Sequence, residues 1–418
     1  MAEKWRSLRC SEEEQLVTLH EPADAQNAAD PVSLVLGEDF PELREGTRRI
    51  CAGFPGSYWR ELDDTRGYPS EFVRALTNAG YLAALIPEEY DGSGLPLRAA
   101  AVILEEINAS GCTASAAHAQ MYIMGTLLRH GSETQKRKYL PEIASGRLRL
   151  QAFAVTEPNT GSDTTQLRTR AVRSGDHYVA NGQKVWTSRA LHSDLMLLLA
   201  RTTPLDQVAR RTDGLSVFLV DLREARGNGV EIKPIKALIN HNTTEVFIEN
   251  LKIPVGNLIG QEGQGFRYIL DGMNAERILV ASECIGDGRW LLRQGVSYAS
   301  DREVFGRPIG QNQGVQFPLA RAFADLEAAD LMCRKAAALF DAGLPCGADA
   351  NIAKMLASEA TWKAADTTLQ TFGGFGYAQE YDIERKWREV RLYQTAPIST
   401  NMVLAYVAQH VLGLPRSY

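Results

Sequence analysis

The chain has 418 residues, a net charge of −6 and 44% hydrophobic residues, enough for about two or three domains with large cores. The acidic balance, without a long basic run, argues against nucleic acid as a main partner, because phosphate neutralisation needs clustered Lys and Arg. The start, MAEKWRSLRCSEEE, lacks the apolar core of a secretory signal, and the longest apolar stretch, Leu195 to Ala200, is too short to span a bilayer. Cys10, Cys51, Cys112, Cys284, Cys333 and Cys346 are scattered, with no paired spacing. Free thiols in a reducing cytoplasm are therefore expected, with no membrane association and no disulfide or zinc framework.

Residues 1 to about 36 are polar and read as a loosely ordered extension. From 37 to 150 the apolar period is helical. Ser70 to Ala79 predicts a helix stopped by Gly80, and Ala99 to Ala109 and Met121 to His130 predict two more. Asp91-Gly92-Ser93-Gly94 marks a turn. From 151 to 265 the pattern becomes strand-like. Phe153 to Val155, His177 to Val179, Val185 to Thr187, Leu195 to Ala200, Leu215 to Val220 and Thr244 to Ile248 are short apolar or alternating runs between turn residues, as in a β-barrel or sandwich. From 266 to 418 the helical period returns. Leu319, Ala322, Leu326, Ala329 and Cys333 step by three and four, the seam of a bundle helix. The expected architecture is α+β: an N-terminal all-α domain, a middle β domain and a C-terminal four-helix bundle.

Four runs carry chemistry. In Thr156-Glu157-Pro158-Asn159-Thr160-Gly161-Ser162-Asp163, a strand feeds a loop whose amides and hydroxyls could meet a planar heterocycle or a phosphate. Taken alone it is equally an ordinary polar turn. Asn181-Gly182-Gln183-Lys184-Val185-Trp186-Thr187-Ser188 reads as a hairpin turn followed by a strand that presents Trp186 and Ser188. Taken alone, Trp186 is a core residue. Arg302-Glu303-Val304-Phe305-Gly306-Arg307, followed by Ile309, Gln313 and Gln316, offers a guanidinium for a pyrophosphate and a ring for adenine. Gln370-Thr371-Phe372-Gly373-Gly374-Phe375-Gly376 clusters glycines at a helix end, where backbone can approach a ligand or simply cap the helix. Gly260, Gly263 and Gly265 do not follow a βα unit, so no Rossmann site is read there. The seven histidines show no metal spacing.

Together these runs resemble the acyl-CoA dehydrogenase family, with its T-E-P-x-x-G-S-D, N-G-x-K-x-W-I-T, R-x-x-F-G and Q-x-x-G-G-x-G patterns, from about residue 40 to the end. The resemblance implies FAD as cofactor. Phe153, Val155, Thr156 and Ser162, with Trp186 and Ser188, would hold the flavin ring, and Ser162 would also reach the substrate. Arg302, Phe305 and Gln313 would hold the ADP half. Gln370, Gly373 and Gly374 would touch FAD from a neighbouring subunit, which implies a homotetramer built as a dimer of dimers. Ser399 and Asn401 would add polar contacts to FAD.

The family's reaction removes an α-proton from an acyl-CoA with a carboxylate while the β-hydrogen leaves as hydride to flavin N5, giving a 2-enoyl-CoA. Most members carry that Glu in Y-E-G-T. Here the matching run is Tyr393-Gln394-Thr395-Ala396-Pro397-Ile398-Ser399, and Pro397 cannot act as a base. A branch resembling isovaleryl-CoA and long-chain dehydrogenases places the base in an L-E-R-like run. Asn274-Ala275-Glu276-Arg277-Ile278 matches it, which makes Glu276 the expected base, with Asn274 and Arg277 beside the substrate. The alternative for Glu276 alone is a helix-surface or ion-paired residue. An electron-transfer flavoprotein is the expected acceptor. Two other readings of the whole chain stand beside this one. One is a flavin-dependent monooxygenase or oxidase on the same fold. The other is a flavin-binding assembly protein without catalysis. His118, Gln120, Met121 and Met124 lie where the family's acyl pocket often runs, with core packing the default for the methionines. Asn240, His241 and Asn242 receive no role.

Overall fold

The computed structural model describes residues 39–416. The polar N-terminal extension and Cys10 lie outside the described residues.

Six helices come first: α1 (Pro41–Cys51), α2 (Gly56–Thr65), α3 (Ser70–Asn78), α4 (Leu97–Ala109), α5 (Ser115–His130) and α6 (Glu133–Ala144). The expected helices are present, and the last of them begins six residues before Met121, at Ser115. In α4 all 13 residues are buried, so this helix shows no polar face and runs through the middle of the molecule. Its acidic side chains are accommodated by arginines. Arg44 Nη1 lies 2.9 Å from Glu105 Oε1 and 3.2 Å from Glu106 Oε2.

The middle region holds eight strands in one mixed sheet: β1 (Leu150–Ala154), β2 (Arg170–Ser174), β3 (His177–Ser188), β4 (Leu195–Arg201), β5 (Leu215–Asp221), β6 (Val230–Pro234), β7 (Thr243–Pro254) and β8 (Leu258–Ile259). The order is β6-β7-β3-β2-β4-β5-β8, with β1 parallel to β4. The sheet curls over a core containing Tyr178, Met196, Leu198, Phe218, Val246 and Ile253. Alternate residues of β4, Leu195, Leu197 and Leu199, face a second core with Leu140, Ile143 and Ile269 of the helices. Burial on both faces explains why β4 reads as an unbroken apolar run.

One expectation is corrected. Asn181-Gly182 is not a hairpin turn: β3 runs unbroken through it, with a bulge in its pairing to β7. The turn into β3 lies at Gly175-Asp176 instead. Gly182 is required by close packing, because a Cβ there would come within 2.7 Å of Thr169 Cα.

The C-terminal region has three long helices, α8 (Gly265–Asp301), α9 (Gln313–Asp341) and α10 (Gly347–Phe372), completed by α11 (Ile383–Arg391) and α12 (Thr400–Tyr406); a short α7 (Leu222–Ala225) lies within the sheet region. Leu319, Ala322, Leu326, Ala329 and Cys333 form the buried seam of α9 as the spacing predicts. Helix α8 packs so tightly on α4 that a Cβ at Gly286 would meet the Glu105 carbonyl oxygen at 2.1 Å. This helix joins the two helical regions.

Candidate active site

The Thr156–Asp163 loop is held from below. Glu157 is buried and accepts from the amides of Arg168 (2.6 Å) and Thr169 (2.8 Å), while Lys184 Nζ pairs with it at 2.9 Å and donates to the Val155 carbonyl. Burial disfavours the Glu157 charge, but Lys184 and these donors outweigh it and hold the carboxyl below its usual range. Val185 N donates to Thr156 O at 2.9 Å, which fixes the loop against β3. Phe153, Val155 and Thr156 are half-buried at this junction, and Ser162 is exposed at the loop tip.

Trp186 is not a core residue. It has φ +61° within a second irregularity of the β3–β7 pairing, and its indole is 58% exposed. A bulky residue at positive φ is strained, and such strain persists where the surroundings impose it. Ser188, two residues on, is half-buried with its Oγ 3.4 Å from Thr243 Oγ1.

Glu276 lies in the first half of α8 and is 7% exposed. It forms no hydrogen bond or ion pair among the described residues, yet its oxygens are not sealed off. Burial raises its pKa to about 7, against the opposing pull of His118, Arg277 and Lys354. Arg277 donates to Asn274 Oδ1 at 3.1 Å. Lys354 Nζ is fully buried, donates to the Ile398 carbonyl at 2.6 Å and ties the Tyr393–Thr400 segment to α10. Pro397 therefore lies on the segment that Lys354 anchors. Ser399 caps α12 by accepting from Met402 N, and Asn401 is exposed on its first turn.

The charged groups near Glu276 include His118 and Glu283. His118 Nδ1 lies 2.5 Å from Glu283 Oε1, and the ring's Nε2 has no partner. Tyr393 donates to Glu283 Oε2 at 3.1 Å. Tyr122 packs against His118 and Phe153, at 5.0 and 6.1 Å between ring centroids. Met121 and Met124 are core residues, and Gln120 donates to the Leu82 carbonyl.

The remaining expected cofactor residues form a separate group. Arg302 follows α8 directly, 26 residues after Glu276, or about 39 Å along the helix. Phe305 tops a two-residue hairpin turn at φ +55° and is fully exposed. Gln313 starts α9 and is also exposed. Gln370, Gly373 and Gly374 lie at the end of α10, which meets the end of α8 where Tyr298 stacks on Phe372 at 4.1 Å. Gly373, at φ +59°, caps that helix. Within one chain these residues do not join the Trp186–Glu276 group.

Three family models match in the order of the three regions: the acyl-CoA dehydrogenase N-terminal domain over residues 37–147, the middle domain over 152–251 and the C-terminal domain over 263–412. The chain belongs to the acyl-CoA dehydrogenase family. Among its relatives is the acyl-CoA dehydrogenase FadE12 of Mycobacterium tuberculosis, 34% identical over 92% of this chain and 99% of that protein. Among solved structures, glutaryl-coenzyme A dehydrogenase in its glutaryl-CoA complex superposes with a TM-score of 0.83 at 30% identity, covering 94% of this chain and 97% of that one. A chain from the electron transferring flavoprotein study of Acidaminococcus fermentans also gives 0.83, at 28% identity over 90% and 98%.

Acyl-CoA dehydrogenases are FAD-binding oxidoreductases that act on CH–CH groups, and this chain is one by family. No described helix is long and apolar enough to cross a membrane. Sequence reasoning missed two parts of this dehydrogenase. Asn240 donates to the Leu62 and Gly67 carbonyls at 2.8 Å each, and Asn242 donates to the Arg66 carbonyl at 3.0 Å. The run without an assigned role therefore clasps the N-terminal region to the sheet. Arg189, held at φ +59° by Asn242, was equally hidden. No local spacing marks either one, since their partners lie far away in sequence.

Proposed function

We propose that this dehydrogenase oxidises an acyl-CoA to a 2-enoyl-CoA, with Glu276 as the base that removes the α-proton. The observation that carries this reading is a buried carboxyl that makes no hydrogen bond or ion pair among the described residues. A base needs free lone pairs and a pKa near the working pH. Glu276 has both: it makes no hydrogen bond or ion pair among the described residues, and burial holds it at about 7. Proton uptake neutralises the carboxyl, which its buried setting favours. Asn274 steadies Arg277, which leaves that guanidinium beside Glu276 as a positioned charge. Pro397 takes no part in proton transfer.

FAD, when bound, supplies the electron acceptor for the β-hydrogen. The residues present fit it. Trp186 offers an open aromatic face beside the Thr156 loop, and Phe153, Val155, Thr156, Ser162 and Ser188 surround that junction. Ser399 and Asn401 extend the polar lining. Arg302, which has no ion pair among the described residues, stands with Phe305, Gln313, Gln370, Gly373 and Gly374 about 39 Å away along α8. We assign these to the FAD of a second copy. Exposed Phe317 and Leu331 on α9 support an assembly of copies, and we read it as a homotetramer. An electron-transfer flavoprotein is the proposed acceptor, supported by the structural likeness given above. The described cysteines are all free and buried, which supports a cytoplasmic setting.

Anaerobic addition of a panel of acyl-CoAs should bleach the flavin of the holoenzyme. A flavin that no acyl-CoA reduces, but that air reoxidises rapidly after chemical reduction, would replace this reading with the oxidase one.

A further inference from the structure

Trp186 holds a backbone conformation that a bulky residue disfavours, and such a conformation persists only where the surrounding structure over-determines it. The chain is pinned on both sides of the indole. Before it, Lys184 is fully buried, with Nζ 2.9 Å from Glu157 and donating to the Val155 carbonyl. After it, the carbonyl of buried Thr187 accepts from Thr244 Oγ1 at 2.7 Å, and Ser188 Oγ lies 3.4 Å from Thr243 Oγ1. Next comes Arg189, at φ +59°, whose amide donates to the Asn242 carbonyl at 2.8 Å. These contacts on the second side all come from one run, Asn242 to Thr244.

That run is itself anchored outside the sheet. Asn240 Nδ2 donates to the Leu62 and Gly67 carbonyls at 2.8 Å each. Asn242 Nδ2 donates to the Arg66 carbonyl at 3.0 Å and to Asn240 Oδ1 at 3.2 Å. Asn242 has φ +48°, a backbone that asparagine tolerates better than most residues. Arg388 of α11 closes the joint: Nη1 donates to the Leu238 carbonyl at 3.0 Å, and Nη2 pairs with Asp63 of α2 at 2.7 Å. The connection from β6 to β7 therefore bonds to the end of α2, to α11 and to the end of β3. Its own strands do not need these ties, because the β6–β7 and β3–β7 pairings already supply their ladder bonds.

We propose that Asn240 and Asn242 are positioning residues for the flavin contact at Trp186: by tying the end of β3 to the end of α2, they hold the indole in its outward, left-handed setting. The proposal rests on the reading of Trp186 as a flavin contact. Asn240 sets the loop against α2. Asn242 passes that position to Arg189, and Thr244 passes it to Thr187, next to the indole.

The test follows FAD release from the diluted holoenzyme by the recovery of flavin fluorescence, with visible circular dichroism of the bound flavin as a second signal. Asn240→Ala removes both bonds to the end of α2, so release should quicken about tenfold and the flavin dichroism should change. Asn242→Gly keeps the left-handed backbone and removes only the side-chain bonds, so release should quicken by about three- to tenfold. Trp186→Ala should itself speed release, and in that background Asn240→Ala should add less than about twofold, because residues acting through one contact are not additive. Unchanged release and dichroism in both asparagine variants would overturn the proposal, even where their unfolding midpoints fall. An undiminished effect of Asn240→Ala on top of Trp186→Ala would overturn it too. Should Asn240→Ala not fold, Asn242→Gly in the two backgrounds decides. Release at the unmutated rate from Trp186→Ala alone would remove the flavin-contact reading and the proposal with it. Faster release from Trp186→Ala but not from either asparagine variant would remove the proposal alone, so the two failures are distinguishable.

Discussion

Two clusters of buried charge lie along α8, and they are built on opposite rules. Near its middle, Arg289 pairs with Glu105 and lies 3.0 Å from Asp330, while Arg44 bridges Glu105, Glu106 and Asp39. Every charge in that cluster has an opposite one. Toward the start of the helix, Glu276 and Lys354 are as deeply buried, and neither forms an ion pair among the described residues. Paired charges of the first kind hold helices in register. Unpaired charges of the second kind cost stability unless a ligand or a reaction uses them. The contrast assigns structure to one end and chemistry to the other, and each assignment can be broken by substitution.

The largest effect should come from Glu276→Gln. The amide keeps the volume but cannot take a proton, so the rate of anaerobic flavin reduction by an acyl-CoA should fall by about 10²- to 10⁴-fold. FAD absorbance should persist. Reduction at the unmutated rate would return Glu276 to the structural class. At the paired end, Glu105→Ala should leave Arg44 and Arg289 short of a partner and cost about 3 kcal/mol in denaturant unfolding. Flavin reduction in the folded variant should change only a few-fold. A loss of turnover without a loss of stability would erase the distinction between the two ends.

A subtler effect concerns stability against pH. Glu276 has an ordinary value of 4.5 and is raised to about 7 in the folded chain. Its neutral form therefore suits the fold, and stability present below pH 4.5 is lost as pH rises toward 7. Glu276→Gln removes that loss. The variant should match the unmutated protein near pH 4.5 and exceed it by about 2 kcal/mol more at pH 8 than at pH 5. Asp287, also raised by burial to about 7, titrates in both proteins and cancels in the difference. Equal stabilities at pH 8 would mean that Glu276 is solvated or paired. The unmutated enzyme's reduction rate should climb over the same range as the base ionises.

The helical, sheet and helical order was readable from the change of apolar period, because β4 and the α9 seam obey their periods closely. Glu276 was proposed as the base only through its run and the missing carboxylate at Pro397; its burial became visible in the fold. Local signals failed where a distant contact decided the outcome. Asn181-Gly182 has the composition of a turn, but Thr169 packing makes the glycine a strand residue. Arg189 has no motif at all, and its setting is visible only once His241 and Asn242 are seen beside it. The second group of proposed cofactor residues was marked by spacing, while its separation from Glu276 needed the unbroken length of α8.

That separation yields the smallest predicted effect. Phe305 projects wholly into solvent at the tip of its turn, so its own chain gains nothing from the ring. Phe305→Ala should shift unfolding of the chain by no more than about 0.5 kcal/mol. If the ring serves the cofactor of a second copy, its loss removes an aromatic contact, and FAD should be released about tenfold more readily on dialysis. Sedimentation of the holoenzyme should show weaker association as FAD is lost, because one contact would serve both. A less stable chain that keeps FAD unchanged would instead make Phe305 a packing residue of its own subunit, and the FAD site would then be complete within one copy.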